Sequence, residues 1–159
     1  ITLFVDLFRS AEMADPEAGA RGGERRKAGT GRTALLAEDT PFFRGLVTRY
    51  LESGGMRVLA AADGRQALEI FEHEKVDVVV SDLEMPVMNG FELARAIRRD
   101  DRGRGVPLLA LTSHGTEDFR AKALEAGFDR FEVKLDRERM LTVLHEMLSP
   151  AGAGGEVRR

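Results

Sequence analysis

No cysteine occurs in this sequence. A disulfide framework and a thiolate metal site are therefore both excluded, and a reducing cytoplasm suits the chain better than a secreted setting. Long hydrophobic runs are missing too: stretches such as Val78-Val79-Val80 fall far short of a bilayer's width, so no membrane insertion is expected. Charge of one sign is not in excess. A net charge of −3 selects no nucleic-acid or membrane partner. The three histidines offer no pair at zinc-binding spacing.

What is present is an ordinary globular composition, 43% apolar and 32% charged, on 159 residues, enough for one core with tails. The chain opens on Ile1 rather than methionine, so a longer parent protein is expected. Residues 1–10 are apolar and β-prone, the remnant of a preceding domain. Residues 11–32 shift to Gly, Ala, Arg and Glu and cannot bury enough surface to offset their ordering entropy, so they read as a flexible linker. The basic residues in it, Arg21, Arg25, Arg26 and Lys27, have no aromatic neighbours and are interrupted by Glu24, as expected of a solvated linker rather than a nucleic-acid site. Residues 150–159 are Ala/Gly-rich and are expected to form a disordered tail, with no attached output domain.

Between these, residues 33–149 alternate short apolar runs with helical stretches, the pattern of βαβ units that build a parallel sheet. Strands are predicted at Thr33 to Ala37, Met56 to Ala61, Val76 to Ser81, Val106 to Leu111 and Phe128 to Val133. Thr40-Pro41 marks a helix N-cap with proline at the first position. Asp63 with Gln66, and Asn89 with Glu92, have capping-box spacing, and Gly54-Gly55 and Gly127 are helix stops. The stripes Phe43, Leu46, Val47, Tyr50, Leu51 and Met140, Leu141, Leu144, Met147, Leu148 read as core faces of the first and last helices.

In a doubly wound parallel sheet, the loops after the strand ends surround one crevice, and ligands bind there. Those loops carry Glu38-Asp39, Asp82, Thr112-Ser113 and Lys134. Converging carboxylates repel one another unless a cation sits among them, and an all-oxygen site suits a hard ion such as Mg²⁺. Such an ion can also clamp a phosphoryl group, whose transfer needs positioning and charge neutralisation. Asp82 is then the candidate nucleophile, Lys134 a point charge for a phosphoryl oxygen and Thr112 a hydrogen-bond donor.

The motifs Leu36-Ala-Glu-Asp39, Ser81-Asp-Leu-Glu-Met-Pro-Val-Met-Asn-Gly90, Leu111-Thr112 and Phe131-Glu-Val-Lys134, in this order and spacing, resemble the receiver domains of two-component response regulators. The resemblance covers essentially all of 33–148. It implies an α/β, flavodoxin-like (βα)5 fold, a doubly wound parallel five-stranded sheet of order 2-1-3-4-5. It implies that Asp82 is the phosphoacceptor and Asp39 a direct Mg²⁺ ligand. Glu38 would act on the ion through water and Glu84 through its backbone carbonyl. Thr112 and Phe131 would be a switch pair, the hydroxyl moving toward the phosphoryl group and the ring turning inward, which biases the face made by the fourth helix, fifth strand and fifth helix. Glu84 and His114 would flank the path of the hydrolytic water and tune the lifetime of the phosphorylated state. The partners implied are a cognate histidine kinase as phosphohistidine donor and a downstream protein, in the cytoplasm. Catalysis would be self-directed, so the domain is not a conventional enzyme.

One departure is Leu135, where the family usually has proline after the lysine; it leaves the shape of that loop open. The run Lys134-Leu-Asp-Arg137, with Phe42-Phe43-Arg44, is similar to receivers at the C-terminus of chemotaxis-type histidine kinases, which would make Ile1 to Phe8 the end of a coupling domain and allow a donor in cis. Three alternatives stand beside this reading. A receiver-like docking module could work without phosphorylation. A haloacid-dehalogenase-like phosphatase would need Asp-x-Asp after the first strand, whereas Asp82-Leu-Glu84 follows the third. A flavin-binding relative would meet repulsion from Glu38-Asp39. His145-Glu146 resembles a phosphodonor histidine motif but falls on the last amphipathic helix, and His73 ends the second helix, where a partly charged imidazole suits the dipole.

Overall fold

The computed structural model describes residues 31–113, 115–134 and 136–149. The expected remnant at 1–10, nearly all of the linker at 11–32 and the tail from 150 lie outside the described residues, as do His114 and Leu135. Strands and helices alternate: β1 (Thr33–Ala37), α1 (Pro41–Ser53), β2 (Arg57–Ala61), α2 (Gly64–His73), β3 (Val78–Asp82), α3 (Gly90–Arg99), a short 3₁₀ turn (Asp101–Gly103), β4 (Leu108–Thr112), α4 (Glu117–Ala126), β5 (Arg130–Val133) and α5 (Arg137–Leu148). All strand pairs are parallel and the order is β2-β1-β3-β4-β5, the expected flavodoxin-like topology.

The central strands bury both faces, and their side chains alternate between two cores as the period of two requires. Leu35, Ala37, Val79, Leu108 and Ala110 point to one side, where α2, α3 and α4 cover them through Phe71, Leu93, Ile97 and Ala123. Ala34, Leu36, Val78, Val80, Leu109 and Leu111 point to the other, covered by α1 and α5 through Leu46, Tyr50, Leu51, Met140 and Leu144. Each such valine, leucine, isoleucine, phenylalanine or methionine side chain contributes roughly 1.5–3 kcal/mol by leaving water, and each alanine less. Among the described residues, no helix is long and apolar enough to cross a membrane.

Strand boundaries differ from expectation in one direction. β3 and β4 begin at Val78 and Leu108 and run through Asp82 and Thr112, later than the predicted starts at Val76 and Val106. Pro107 has no N–H to offer a ladder, and Phe128 is held by the end of α4 through its N–H bond to Ala123 O. The helix starts also differ in detail. Asn89 and Glu92 form the reciprocal capping box. Asp63 accepts from Gln66 N–H as expected, but the Gln66 side chain reaches back to Ala62 N–H, one residue beyond the box. Thr40 occupies the N-cap of α1 without a side-chain cap bond. Its N–H is donated to Glu38 Oε2 instead (3.1 Å), so the chain's entry into α1 orients a site carboxylate.

Candidate phosphoryl-acceptor site

Three carboxylates meet where β1 and β3 end. Glu38, Asp39 and Asp82 each bring one oxygen within 4.8 Å of the others. Glu38 is 1% exposed and Asp82 7%, while Asp39 is only half-buried. Lys134, at the end of β5, closes the group: its Nζ lies 2.9 Å from Glu38 Oε1 and 3.3 Å from Asp82 Oδ2. Lys134 N–H is donated to Thr112 O (2.9 Å), which fixes its backbone beside β4.

Burial, reinforced by the Glu38 charge, pushes the Asp82 carboxyl up to about 6, despite Lys134 and the Leu83 N–H bond to Asp82 Oδ1 (2.8 Å). One ammonium among three acids leaves a charge deficit that a divalent cation would fill, and the donor set is all oxygen, which suits a hard ion.

The loop that carries Asp82 is tightly held. Ser81 Oγ–H is donated to Asp82 O (2.7 Å), and Gly90 N–H to Leu83 O (3.0 Å). A Cβ on Gly90 would be driven into the Asp82 carbonyl oxygen, so only glycine lets α3 begin this close to Asp82. At the tip of the same loop Val87 has a φ of +69°, and Met88 N–H bonds Pro86 O across it (2.7 Å), a γ-turn of the strained hand. The Val87 side chain is left 74% exposed.

The remaining expected residues are placed as follows. Thr112 is fully buried at the end of β4. The Phe131 ring is 8% exposed and packed in the core beneath α2, α3 and α4, so it already points inward. Glu84 is exposed, two residues past Asp82, and its expected companion His114 lies outside the described residues. His73 and His145 are exposed and far along their helices from the cluster; the His73 ring nitrogen sits 2.9 Å from Glu69 O, at the end of α2.

Two residues of the Phe42-Phe43-Arg44 run, which the sequence did not connect with the site, turn out to be its neighbours. Arg44 Nη1 donates to the backbone carbonyls of Glu38 (2.9 Å) and Asp39 (3.3 Å), clamping the loop that presents both acids. A hint existed: a cation in the first turn of a helix opposes the macrodipole and so invites another explanation. Phe43, read as part of a core stripe and of the Phe42-Phe43-Arg44 run but given no part in the site, lies with its ring centroid 4.6 Å from Lys134 Nζ.

Residues 34–145 match the sequence model of the response regulator receiver domain. The chain belongs to this family. Histidine kinase 1 of Arabidopsis thaliana is 29% identical to this receiver over 168 aligned positions, 83% of this chain but 14% of the kinase's own length. Among solved structures, the receiver domain of sensor histidine kinase PA1611 from Pseudomonas aeruginosa PAO1 is 32% identical with a TM-score of 0.70, over 75% of this chain and 98% of that one. It holds a magnesium ion coordinated in its active-site cleft. Chemotaxis protein CheY4 of Vibrio cholerae is also 32% identical, with a TM-score of 0.71, over 75% of this chain and all (100%) of that one.

Proposed function

We propose that this receiver accepts a phosphoryl group on Asp82 from a phosphohistidine of a histidine kinase and passes the signal on through protein contacts. The observation that carries this reading is the meeting of Glu38, Asp39 and Asp82 with the Lys134 ammonium at the exit of three strands. In the transfer, an Asp82 carboxylate oxygen attacks phosphorus while the P–N bond of the donor breaks. An acyl phosphate forms and the imidazole leaves with the nitrogen lone pair. Lys134 offsets charge on a phosphoryl oxygen, and the Thr112 hydroxyl donates to another. In the later hydrolysis water attacks phosphorus, the acyl phosphate P–O bond breaks, and Asp82 is regenerated with release of inorganic phosphate. Glu84 and His114 tune that lifetime, so Glu84→Asn changes the autodephosphorylation rate.

Mg²⁺ fits the donor set. Asp39 and Asp82 would hold it directly and Glu84 through its carbonyl, while Glu38, whose two oxygens already serve Thr40 N–H and Lys134, would act through water. Bound there, it offsets the negative charge of the acids and of the phosphoryl group. The receiver proper spans 33–149. The sequence runs around Phe42 and Leu135, and a chemotaxis protein among the structural relatives, support a place in chemotaxis signalling in the cytoplasm. There it would be the C-terminal receiver of a hybrid chemotaxis-type kinase, with the donor in cis and output through the α4-β5-α5 face.

Intact mass after incubation with acetyl phosphate and Mg²⁺ tests the reading: one phosphoryl adduct is expected, lost in Asp82→Asn and on chelation. An adduct that survives Asp82→Asn would sink it. A second reading, a docking module that works without phosphorylation, is favoured by the inward Phe131 ring. Under that reading, addition of a beryllofluoride mimic leaves the NMR signals around Phe131 unmoved.

A further inference from the structure

Lys134 is an ammonium held in a nearly dry place, 8% exposed, and its surroundings explain only part of its position. Two of its neighbours are the carboxylates of Glu38 and Asp82. Both belong to the cluster that a cation or an incoming phosphoryl group would draw upon, so both contacts change when the site is used. The third neighbour is neither a carboxylate nor a candidate ligand. The Phe43 ring centroid lies 4.6 Å from Nζ, within the range where the negative face of an aromatic ring attracts a cation, and the exclusion of water puts this contact at the stronger end of that range.

The ring is itself held from two sides. Phe43 packs against the core formed by α1 and α5. Phe42 meets it edge to face, with centroids 5.3 Å apart and planes at 71°. The ring therefore stands as a fixed wall on the first turn of α1, the same turn whose Arg44 clamps the Glu38 and Asp39 carbonyls.

We infer that Phe43 is a positioning residue: its ring fixes where the Lys134 ammonium waits, so that the charge stays beside Asp82 when the carboxylates turn to other partners. The inference rests on the phosphoacceptor reading for its consequence but not for its geometry. It assigns to an apolar helix position a part in phosphoryl transfer that acts only through Lys134.

The test uses Phe43→Leu, which keeps the apolar bulk, Phe43→Tyr, which keeps the ring, and both wild-type and Lys134→Met backgrounds. In the metal-free protein, the Lys134 side-chain methylene and ammonium resonances are expected upfield from the ring current, retained in Phe43→Tyr and lost in Phe43→Leu. With acetyl phosphate and Mg²⁺, Phe43→Leu is expected to form adduct roughly three- to tenfold more slowly, and Phe43→Tyr at close to the wild-type rate. In the Lys134→Met background Phe43→Leu should slow the reaction no further. Equal slowing in both backgrounds, or Lys134 resonances indifferent to Phe43→Leu, would overturn the inference. If the wild type forms no adduct, the phosphoacceptor reading fails, and the resonances still decide whether the ring holds the ammonium.

Discussion

The two edges of the sheet use the same residue type to opposite ends. Where strands begin, Asp77 accepts Thr33 N–H (2.7 Å) and donates its own N–H to Thr33 O (2.8 Å), tying the starts of β1 and β3. Asp129 does the same with Leu108, accepting its N–H (2.9 Å) and donating to its carbonyl (2.8 Å), which ties β4 to β5. Where strands end, Glu38, Asp39 and Asp82 face one another and Asp82 is pushed up to about 6. An acid at a strand start finds backbone N–H groups and is satisfied. Acids at the strand exits find chiefly each other and Lys134, and that discord is what would draw a cation to the exit edge.

The largest expected effect lies at the quiet edge. Arg98 donates from Nε to Gly127 O (3.0 Å), from Nη1 to the carbonyls of Gly103 (2.7 Å), Arg104 (3.1 Å) and Val106 (2.8 Å), and from Nη2 to Asp129 (2.9 Å). One side chain thus joins the end of α3, the approach to β4 and the turn before β5. Gly127 sits at a φ of +124°, which allows the carbonyl to turn toward it. Arg98→Met keeps the stem and strands several carbonyls, so unfolding in urea should show a loss of about 3–4 kcal/mol. Affinity for Mg²⁺ should be unchanged; if it falls in step with stability, the two edges are not independent.

The exit edge should respond in the other direction. With its pKa raised from 3.8 to about 6, the Asp82 carboxyl holds its proton more tightly in the native state than in the unfolded chain. Between these values the native state binds more protons, so metal-free stability falls as pH rises from about 4 to about 6 and is level above. The fall should amount to roughly 2–3 kcal/mol. Asp82→Asn removes it, making the metal-free variant more stable than wild type at neutral pH, while Mg²⁺ recovers the difference for wild type alone. Urea titrations across this pH range check both, and a wild type whose stability rises through the window would show that Asp82 is not the strained group.

Much of this contrast was legible in the residues. Every strand, the capping at Asn89, and all four site positions Glu38, Asp39, Asp82 and Lys134 follow from period, punctuation and strand-end chemistry. Strand order does not follow from pattern alone; it came with the family resemblance. The contacts that were missed share one cause. Phe43 has the spacing of a core residue, and nothing in a helical stripe reveals that its ring also meets a cation from β5, ninety-odd residues away. Arg98 is one of several arginines in α3 and its surroundings, and only the closing of the chain shows which of them staples the turns.

Close packing at Asp82 gives a smaller test. Gly90→Ala forces the Asp82 and Leu83 backbone away from the start of α3, although alanine itself favours the helix. The net loss should be about 1–2 kcal/mol in urea unfolding, together with slower adduct formation, because the displaced atoms belong to Asp82, the proposed acceptor. An equally stable variant with unchanged kinetics would mean that the loop moves at no expense.

The smallest expected effect separates strain from packing. Among the described residues Val87 is the sole non-glycine with positive φ, and it belongs to the loop of the exit edge. A β-branched side chain is costly in that conformation, whereas asparagine tolerates it. Because Val87 is 74% exposed, replacing it forfeits little burial. Val87→Asn should therefore stabilise the protein by about 0.5–1 kcal/mol, seen as a rise in the urea midpoint with the slope unchanged. Val87→Gly should gain less, because glycine relieves the same strain but adds freedom to the unfolded chain. The order Asn above Gly above Val is the signature of backbone strain. If both variants are less stable than wild type, the exposed side chain is held by contacts that outweigh the strain, and discord at the exit edge is confined to its charges.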